Sequence, residues 1–496
     1  MTTHPKWAVP LPSFRATVAT LAAACLATPL AAQDATALYV RDPDPLVQQK
    51  LEQWQDLKLG LLMHWGTYSQ WGIVESWSLC SEDEGWCRSH QRDSIGDYAA
   101  YKTAYEALQT TFNPVKFDPV RWALAAKDAG MRYVVFTTKH HDGFSMFDTH
   151  QTDYRITSPK TPFSSNPNAD VTRGIFDAFR AQGFMIGAYF SKPDWHSPDY
   201  WWPYFATPDR NPNYDIKKYP ERWARFVAFT HAQINELMSN YGRVDILWLD
   251  GGWVQTMTDS EIHADMNRSD YKFMRLQSQD IDMPRLVREA RAKQPGLIVV
   301  DRAVAGPYQD YLTPEARVPK EPLPYPWEVP MPMANSWSFV PHDRYKSPRV
   351  LIQMLVDVVA KGGNLLLNIG PGPDGTWDDA AYDRLQALGA WMKVNSQAIY
   401  GTRPIAPYME GKVRFTQAKN GTVYAIYLPA DGETALPDSL VVTGYHPERG
   451  ARIALLGAAT NIPWSPSGAG FVAHIPRGTT PPNANAWAFR IGRPAG

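Results

Sequence analysis

GRVDILWLDGGW (242–253) is a short apolar run, Val244, Ile246, Leu247 and Leu249, that stops at Asp250 and a pair of glycines. An apolar run of this length bounded by glycines reads as a buried strand of a parallel sheet. A carboxylate at the C-terminal tip of such a strand has little packing value. In a (β/α) barrel that end is where reacting side chains sit.

The neighbouring sequence repeats the pattern. LGLLMHWG (59–66) carries His64 near its end, and YVVFTTKHHDGF (133–144) runs into His140-His141-Asp142. MIGAYFS (185–191) opens into a tryptophan-rich loop, LIVVDR (297–302) ends in Arg302, and NLLLNIG (364–370) is a sixth strand. Helices are expected between them over residues 43–59, 119–129, 171–182, 221–241, 282–293, 347–360 and 379–399, with Asp118 as a cap and Gly130 and Gly183 as stops. Strands alternating with helices of this length indicate a parallel α/β architecture. A doubly wound sheet concentrates its ligand site at one switch point. Polar tips recur around this series, which favours a (β/α) barrel, irregular in its later units.

Two long connections stand out. Residues 68–97 form a loop with Glu75, Trp77, Cys80, Glu84, Trp86 and Cys87, and a Pro-rich loop over 307–333 carries Glu315, Glu321 and Glu328. Loops this long inside a compact domain are usually functional. After Gly401 the segments VRFTQ, TVYAIYLP, SLVVTGY, ARIALLG and GFVAHIP are separated by Gly, Pro and Asn, the signature of a small antiparallel β-sandwich. The expected division is a signal peptide over 1–32, a catalytic barrel over 38–401 and a C-terminal β-sandwich over 402–496.

Among 496 residues the formal net charge is −1, which gives no footprint for nucleic acid or an anionic membrane surface. The 19 Trp and 24 Tyr are common where sugar rings stack on aromatic faces, and the same rings fill large cores. Lys6 and Arg15 precede an Ala/Leu-rich run over 16–32, too short to span a bilayer and typical of a secretory signal. Cleavage after Ala32 or Ala37 removes Cys25, and no other run is long enough for a membrane span. The mature chain is therefore expected to be exported, periplasmic or extracellular. Cys80 and Cys87 are then a close pair that suggests a disulfide fixing the first long loop, with two free thiols as the other reading.

Taken together, the tips contribute His64, His140, His141, Asp250 and Arg302, with Glu315 or Glu328 from the following loop. Two carboxylates, neutral donors and aromatic walls suit glycoside hydrolysis, in which one carboxylate attacks the anomeric carbon and a protonated one serves the departing oxygen. Blander readings stand beside this. A strand-end Asp is often a cap, a His pair is often structural or metal-binding, and Arg302 is placed to neutralise Asp301. A barrel metal hydrolase would want His-x-His on the first strand, where this chain has His64-Trp65-Gly66. Asp194-Trp195-His196 reads as loop packing, and NIGPGPDGT as a tight turn, since it lacks the Lys-Ser/Thr ending of a phosphate loop.

HWGTYS (64–69), TTKHHDGF (137–144), GAYFS (187–191), DILWLDGGW (245–253) and LLLNIGPGPDGT (365–376) resemble the motif series of family 29 glycoside hydrolases, the α-L-fucosidases. The resemblance covers roughly residues 50–400. It implies a retaining mechanism on a (β/α) barrel with a C-terminal β-sandwich. Matched motif by motif, Asp250 falls on the nucleophile. His64, His140, His141 and Tyr189 fall on positions that hold the fucose hydroxyls. Trp248 and Trp337 fall on the wall near the C6 methyl group, and Arg302 on an active-site arginine. DYLTPEARVP nominates Glu315 as the acid/base, with Glu328 in PWEVP as runner-up. Members commonly carry a Glu-Trp pair in the first long loop. This chain departs from that with Glu75-Ser76-Trp77 and, further on, Glu84-Gly85-Trp86, and Glu75 with Trp77 is the preferred match.

The expected function is thus a retaining exo-glycosidase releasing terminal α-L-fucose from oligosaccharides or glycoconjugates. The alternatives are an exo-glycosidase on a related sugar such as α-L-galactose, or a non-catalytic fucose-binding protein on the same scaffold. The expected partner is a fucosylated glycan substrate, with no nucleic acid, no membrane span, no metal and no cofactor.

Overall fold

The computed structural model describes residues 39–80, 94–205, 209–267, 276–458 and 461–492. The expected signal peptide, Cys87, and the Glu84-Gly85-Trp86 alternative lie outside the described residues. No helix of the described residues is long and apolar enough to cross a membrane.

Among the described residues seven parallel strands form one sheet: β1 (Leu59–Met63), β2 (Tyr133–Lys139), β3 (Met185–Ser191), β4 (Ile246–Asp250), β5 (Ile298–Asp301), β6 (Glu328–Pro332) and β7 (Asn364–Ile369). Their order is β5-β4-β3-β2-β1-β7-β6. Almost every strand residue is buried, as continuous apolar runs covered on both faces require. Helices capped by Asp118, Asp170, Asp282 and Ser347 start within a residue or two of the expected positions, each cap side chain accepting a backbone N–H of the first turn.

One strand corrects the sequence reading. The Pro-rich loop contains β6, with Glu328 as its first residue, not as a loop residue. Proline removes a ladder donor and is tolerated in an edge strand. Strand β6 is an edge strand, which is how EVPMP enters the sheet with two prolines. The other edge is β5, and the intervening chain stitches the seam between them. Asp310 N–H donates to the Val299 carbonyl (2.9 Å), Glu328 N–H to that of Leu312 (2.8 Å), and Ala316 N–H to that of Pro330 (3.0 Å). Glu315 is therefore carried across the gap by a segment tied to both edges.

Helices Tyr98–Glu106 and Asp259–Met266 are further elements, in stretches to which the sequence assigns no element. From Thr402 onward the strands are antiparallel, in a six-stranded and a three-stranded sheet around a separate apolar cluster that includes Phe415, Val442, Phe471 and Trp487.

Candidate functional site

The C-terminal tips converge. Strand β4 pairs with β3 so that Asp250 lies opposite Ser191, and Arg302 N–H extends the pairing by donating to the Leu249 carbonyl at 3.1 Å. The glycine pair after Asp250 has a steric reason. Gly251 has φ +90°, a conformation that disfavours a side chain, and a Cβ on Gly252 would meet the Arg302 carbonyl at 2.9 Å. GG thus lets the chain turn sharply after Asp250 and lets Arg302 come alongside.

Asp250 is held from three sides. Arg302 Nη1 donates to Oδ1 at 2.9 Å, and the Tyr189 hydroxyl donates to Oδ2 at 2.7 Å. His141 Nε2 stands 3.8 Å from Oδ2. The other terminal amino group of Arg302 donates to Glu315. Burial pushes the Asp250 carboxyl up, but the Arg302 charge, His141 and the Tyr189 hydrogen bond override it and hold it well below the usual carboxylate range. Asp250 is ionised at neutral pH.

The histidines form an aromatic cage around this carboxylate. His64 lies 5.6 Å from His140, 5.3 Å from Tyr189 and 5.4 Å from Trp337, ring centre to ring centre, and His140 lies 4.2 Å from His141. Burial lowers His64 to about 4 and His141 to about 3, and takes His140 well below its ordinary value, helped there by the neighbouring imidazoles. All three are neutral at pH 7 and so offer both donors and acceptors.

Trp77 stands edge-on to His141 at 5.1 Å, with Trp195 and Trp253 beside it and the Arg210 guanidinium 4.9 Å from its ring. Glu75 is buried in the same 3-10 turn, Glu75–Cys80, and its Oε1 accepts Ser338 N–H at 2.7 Å. Burial raises its carboxyl to about 8, with the Asp250 charge adding to the rise. Glu75 is therefore a protonated donor near an ionised neighbour.

Trp248 stacks on Tyr189 at 5.1 Å and lies beneath the Arg302 guanidinium at 5.3 Å, while its Nε1–H points down the barrel to Glu328 at 3.3 Å. The runner-up acid is thus separated from the cluster. Glu328 is fully buried at the first residue of β6, accepting from the Tyr133 hydroxyl at 2.6 Å, and Tyr133 is itself the first residue of β2. Both sit at the end of the barrel opposite Asp250. Glu315, by contrast, lies at the rim with its side chain 46% exposed.

Three partners escaped the sequence reading. Asn368 binds His64, Ser338 binds Glu75, and Ser76 lies against His140. Asn368 was legible in principle, being a polar residue near the end of β7 like the other tips. Ser338 sits in irregular chain and Ser76 in the short 3-10 turn, where no periodicity marks them. Ligand atoms of His140, His141 and Asp250 all lie within 4.8 Å of one another, a spacing that suits a cation as well as a sugar. The Arg302 charge on Asp250 disfavours the cation.

A family model described as Alpha-L-fucosidase matches residues 26–397 of the chain. The chain is 26% identical over 475 residues to an alpha-L-fucosidase of Branchiostoma floridae, covering 91% of this chain and 95% of that relative. It is 26% identical over 445 residues to the human plasma alpha-L-fucosidase, covering 85% of each. Among solved structures, alpha-L-fucosidase isoenzyme 1 from Paenibacillus thiaminolyticus superposes with a TM-score of 0.70 at 28% identity, over 90% of this chain and 99% of that one. A GH29 alpha-L-fucosidase from Bacteroides thetaiotaomicron, at 22% identity and a TM-score of 0.69 over 91% of this chain and 96% of that one, shares the fold.

Proposed function

The chain belongs to the α-L-fucosidase family, glycoside hydrolase family 29, and from that premise we propose that it removes terminal α-L-fucose from glycans by double displacement, with Asp250 as nucleophile and Glu315 as acid/base. The observation that carries this reading is the sharing of Arg302 by the two carboxylates. Retention needs carboxyl groups about 5–5.5 Å apart, a gap that one guanidinium donating from each terminal amino group is suited to bridge.

In the first step Asp250 Oδ attacks the anomeric carbon while Glu315 gives its proton to the departing oxygen. Water, deprotonated by Glu315, then releases fucose from the Asp250 ester. His64, His140, His141 and protonated Glu75 hold the sugar hydroxyls. Trp77, Trp248 and Trp337 supply its apolar walls, and Tyr189 and Arg302 keep Asp250 ionised and aimed. Neither metal nor cofactor enters these steps, so turnover is expected to be insensitive to chelators. We place the catalytic unit before Gly401 and an accessory sandwich after it, and read the chain as exported after removal of an N-terminal signal.

The test is proton NMR of an aryl α-L-fucoside during hydrolysis. α-L-Fucose as the first-formed anomer supports the reading, and β-L-fucose first, or no turnover, overturns it.

A further inference from the structure

Two of the pocket's histidines are held from behind by groups of opposite hydrogen-bonding sense. Asn368 Oδ1 accepts the backbone N–H of His64 at 3.2 Å and faces His64 Nδ1 at 2.9 Å. A backbone N–H can only donate, so the amide atom it meets is the oxygen. The Asn368 amide nitrogen is taken up by the Trp337 carbonyl at 2.6 Å, which fixes the same orientation independently. A carbonyl-type oxygen facing Nδ1 requires the proton on Nδ1. His64 is left with a bare Nε2.

Ser76 imposes the reverse on His140. Its hydroxyl lies 2.5 Å from His140 Nδ1 and accepts Asp142 N–H at 3.1 Å. Ser76 is fully buried. If His140 Nδ1 also donated, the hydroxyl would receive two N–H groups and its own hydrogen would have no acceptor among the described contacts. A buried donor left unpaired loses its hydration with nothing in return. The hydroxyl therefore donates to Nδ1, and the proton of this neutral ring sits on Nε2.

We propose that Ser76 and Asn368 are positioning residues that lock His140 and His64 in opposite tautomers, so the pocket offers one imidazole donor and one imidazole acceptor to the sugar. This rests on the reading of the pocket as a fucose site. It gives the two histidines different demands. The group facing His64 must carry a hydrogen, whereas the group facing His140 needs only a lone pair. Ser76 is also the residue that separates Glu75 from Trp77, so its hydroxyl enters the site from the stretch where this chain departs from the Glu-Trp pair.

Neutron crystallography of the full chain tests the assignment directly. Deuterium is expected on His64 Nδ1 and His140 Nε2. The same tautomer in both rings, or deuterium on His140 Nδ1, overturns the proposal whether or not the protein cleaves fucosides. The functional arm uses Ser76→Ala with aryl α-L-fucoside and its monodeoxy analogues. Ser76→Ala should lower kcat/KM about 10-fold on the parent sugar, the scale of one hydrogen bond. It should have little further effect on the one analogue lacking the hydroxyl that His140 serves, a non-additivity that marks direct coupling. An equal loss on every analogue would mean that Ser76 merely packs. If Ser76→Ala does not fold, Ser76→Cys, nearly isosteric and a weak donor, is read in the same way. A wild type that turns over no fucoside defeats the fucosidase reading and leaves the neutron result to decide the tautomers.

Discussion

Asp250 and Glu315 sit on opposite terminal amino groups of one guanidinium, that of Arg302. Their surroundings differ in the sense that the two proposed roles require. The Asp250 side chain is 15% exposed and also bound by Tyr189, whereas that of Glu315 is 46% exposed. A nucleophile gains from being fixed and ionised. An acid/base must exchange its proton with water between the two half-reactions.

The two carboxylates should therefore give opposite azide products. Asp250→Gly is expected to lower kcat by about 10³-fold or more, as loss of a covalent nucleophile does. Azide then displaces the aglycone directly and yields the β-L-fucosyl azide. In Glu315→Ala, azide intercepts the β-linked Asp250 ester and yields the α-L-fucosyl azide. Product anomers are read by proton NMR. The same anomer from both variants, or full activity in either, sinks the assignment.

Arg302→Met removes the charge that counters the burial of Asp250. A carboxylate acting as nucleophile must be ionised, so on the proposed mechanism activity falls as pH drops through the pKa of Asp250. With the guanidinium gone that pKa rises, and the acid limb of the kcat/KM profile should move to higher pH. The loss at neutral pH should be about 100-fold, on the scale of charge-assisted hydrogen bonds. An unmoved acid limb would show that Arg302 does not set the ionisation of Asp250.

Much of this site was legible because the barrel rule is positional. Side chains at the C-terminal ends of strands face one mouth whatever loops follow, so His64, His140, Asp250 and Arg302 are grouped once the strands are found. What escaped was set by contacts that chain order does not encode. EVPMP gives no strand signal because its prolines are tolerable only at an edge, and the edge exists only after the sheet is assembled. Ser76 is one hydroxyl in a short 3-10 turn, and its meaning depends on His140, 64 residues away. Glu315 and the runner-up Glu328 share one Pro-rich stretch of sequence, and the strand that starts at Glu328 sends the two to opposite ends of the barrel.

Glu328→Gln separates those glutamates by stability as well as activity. Burial raises the Glu328 carboxyl to about 7 from an ordinary 4.5. A raised acid binds its proton more tightly in the folded state, so its contribution is present at low pH and lost as pH rises through about 7. The amide carries no such titration. The wild type should thus lose up to about 3 kcal/mol relative to Glu328→Gln between pH 4.5 and 8.5, in urea unfolding followed at both ends. Glu75, Asp142 and Asp310 are raised in the same sense, so only the difference between the two proteins isolates Glu328. Activity at pH 6 should survive in Glu328→Gln. A fall of about 100-fold or more, the scale of a lost general acid, would restore it as the acid/base.

Lys192 and Asp301 form a second test of how the mouth is held. Both are buried, and Lys192 Nζ donates to Asp301 Oδ1 at 2.5 Å and to the Val254 carbonyl at 2.7 Å. Lys192 also gives its backbone N–H to the Asp250 carbonyl at 2.9 Å, and Asp301 immediately precedes Arg302. One ammonium thus ties the tips of β3 and β5 to the loop that leaves β4. Lys192→Met leaves Asp301 buried without its cation, which typically costs about 3–5 kcal/mol. Asp301→Leu strands the lysine in the same way. Replacing both removes the uncompensated charge, so the double variant should be more stable than either single one in urea unfolding. It should still lose activity, because the Val254 carbonyl is no longer gripped and the turn after Asp250 is freed. Additive destabilisation would show that the two groups are not energetically coupled. A double variant with full activity would show that the loop after Asp250 holds its place without them.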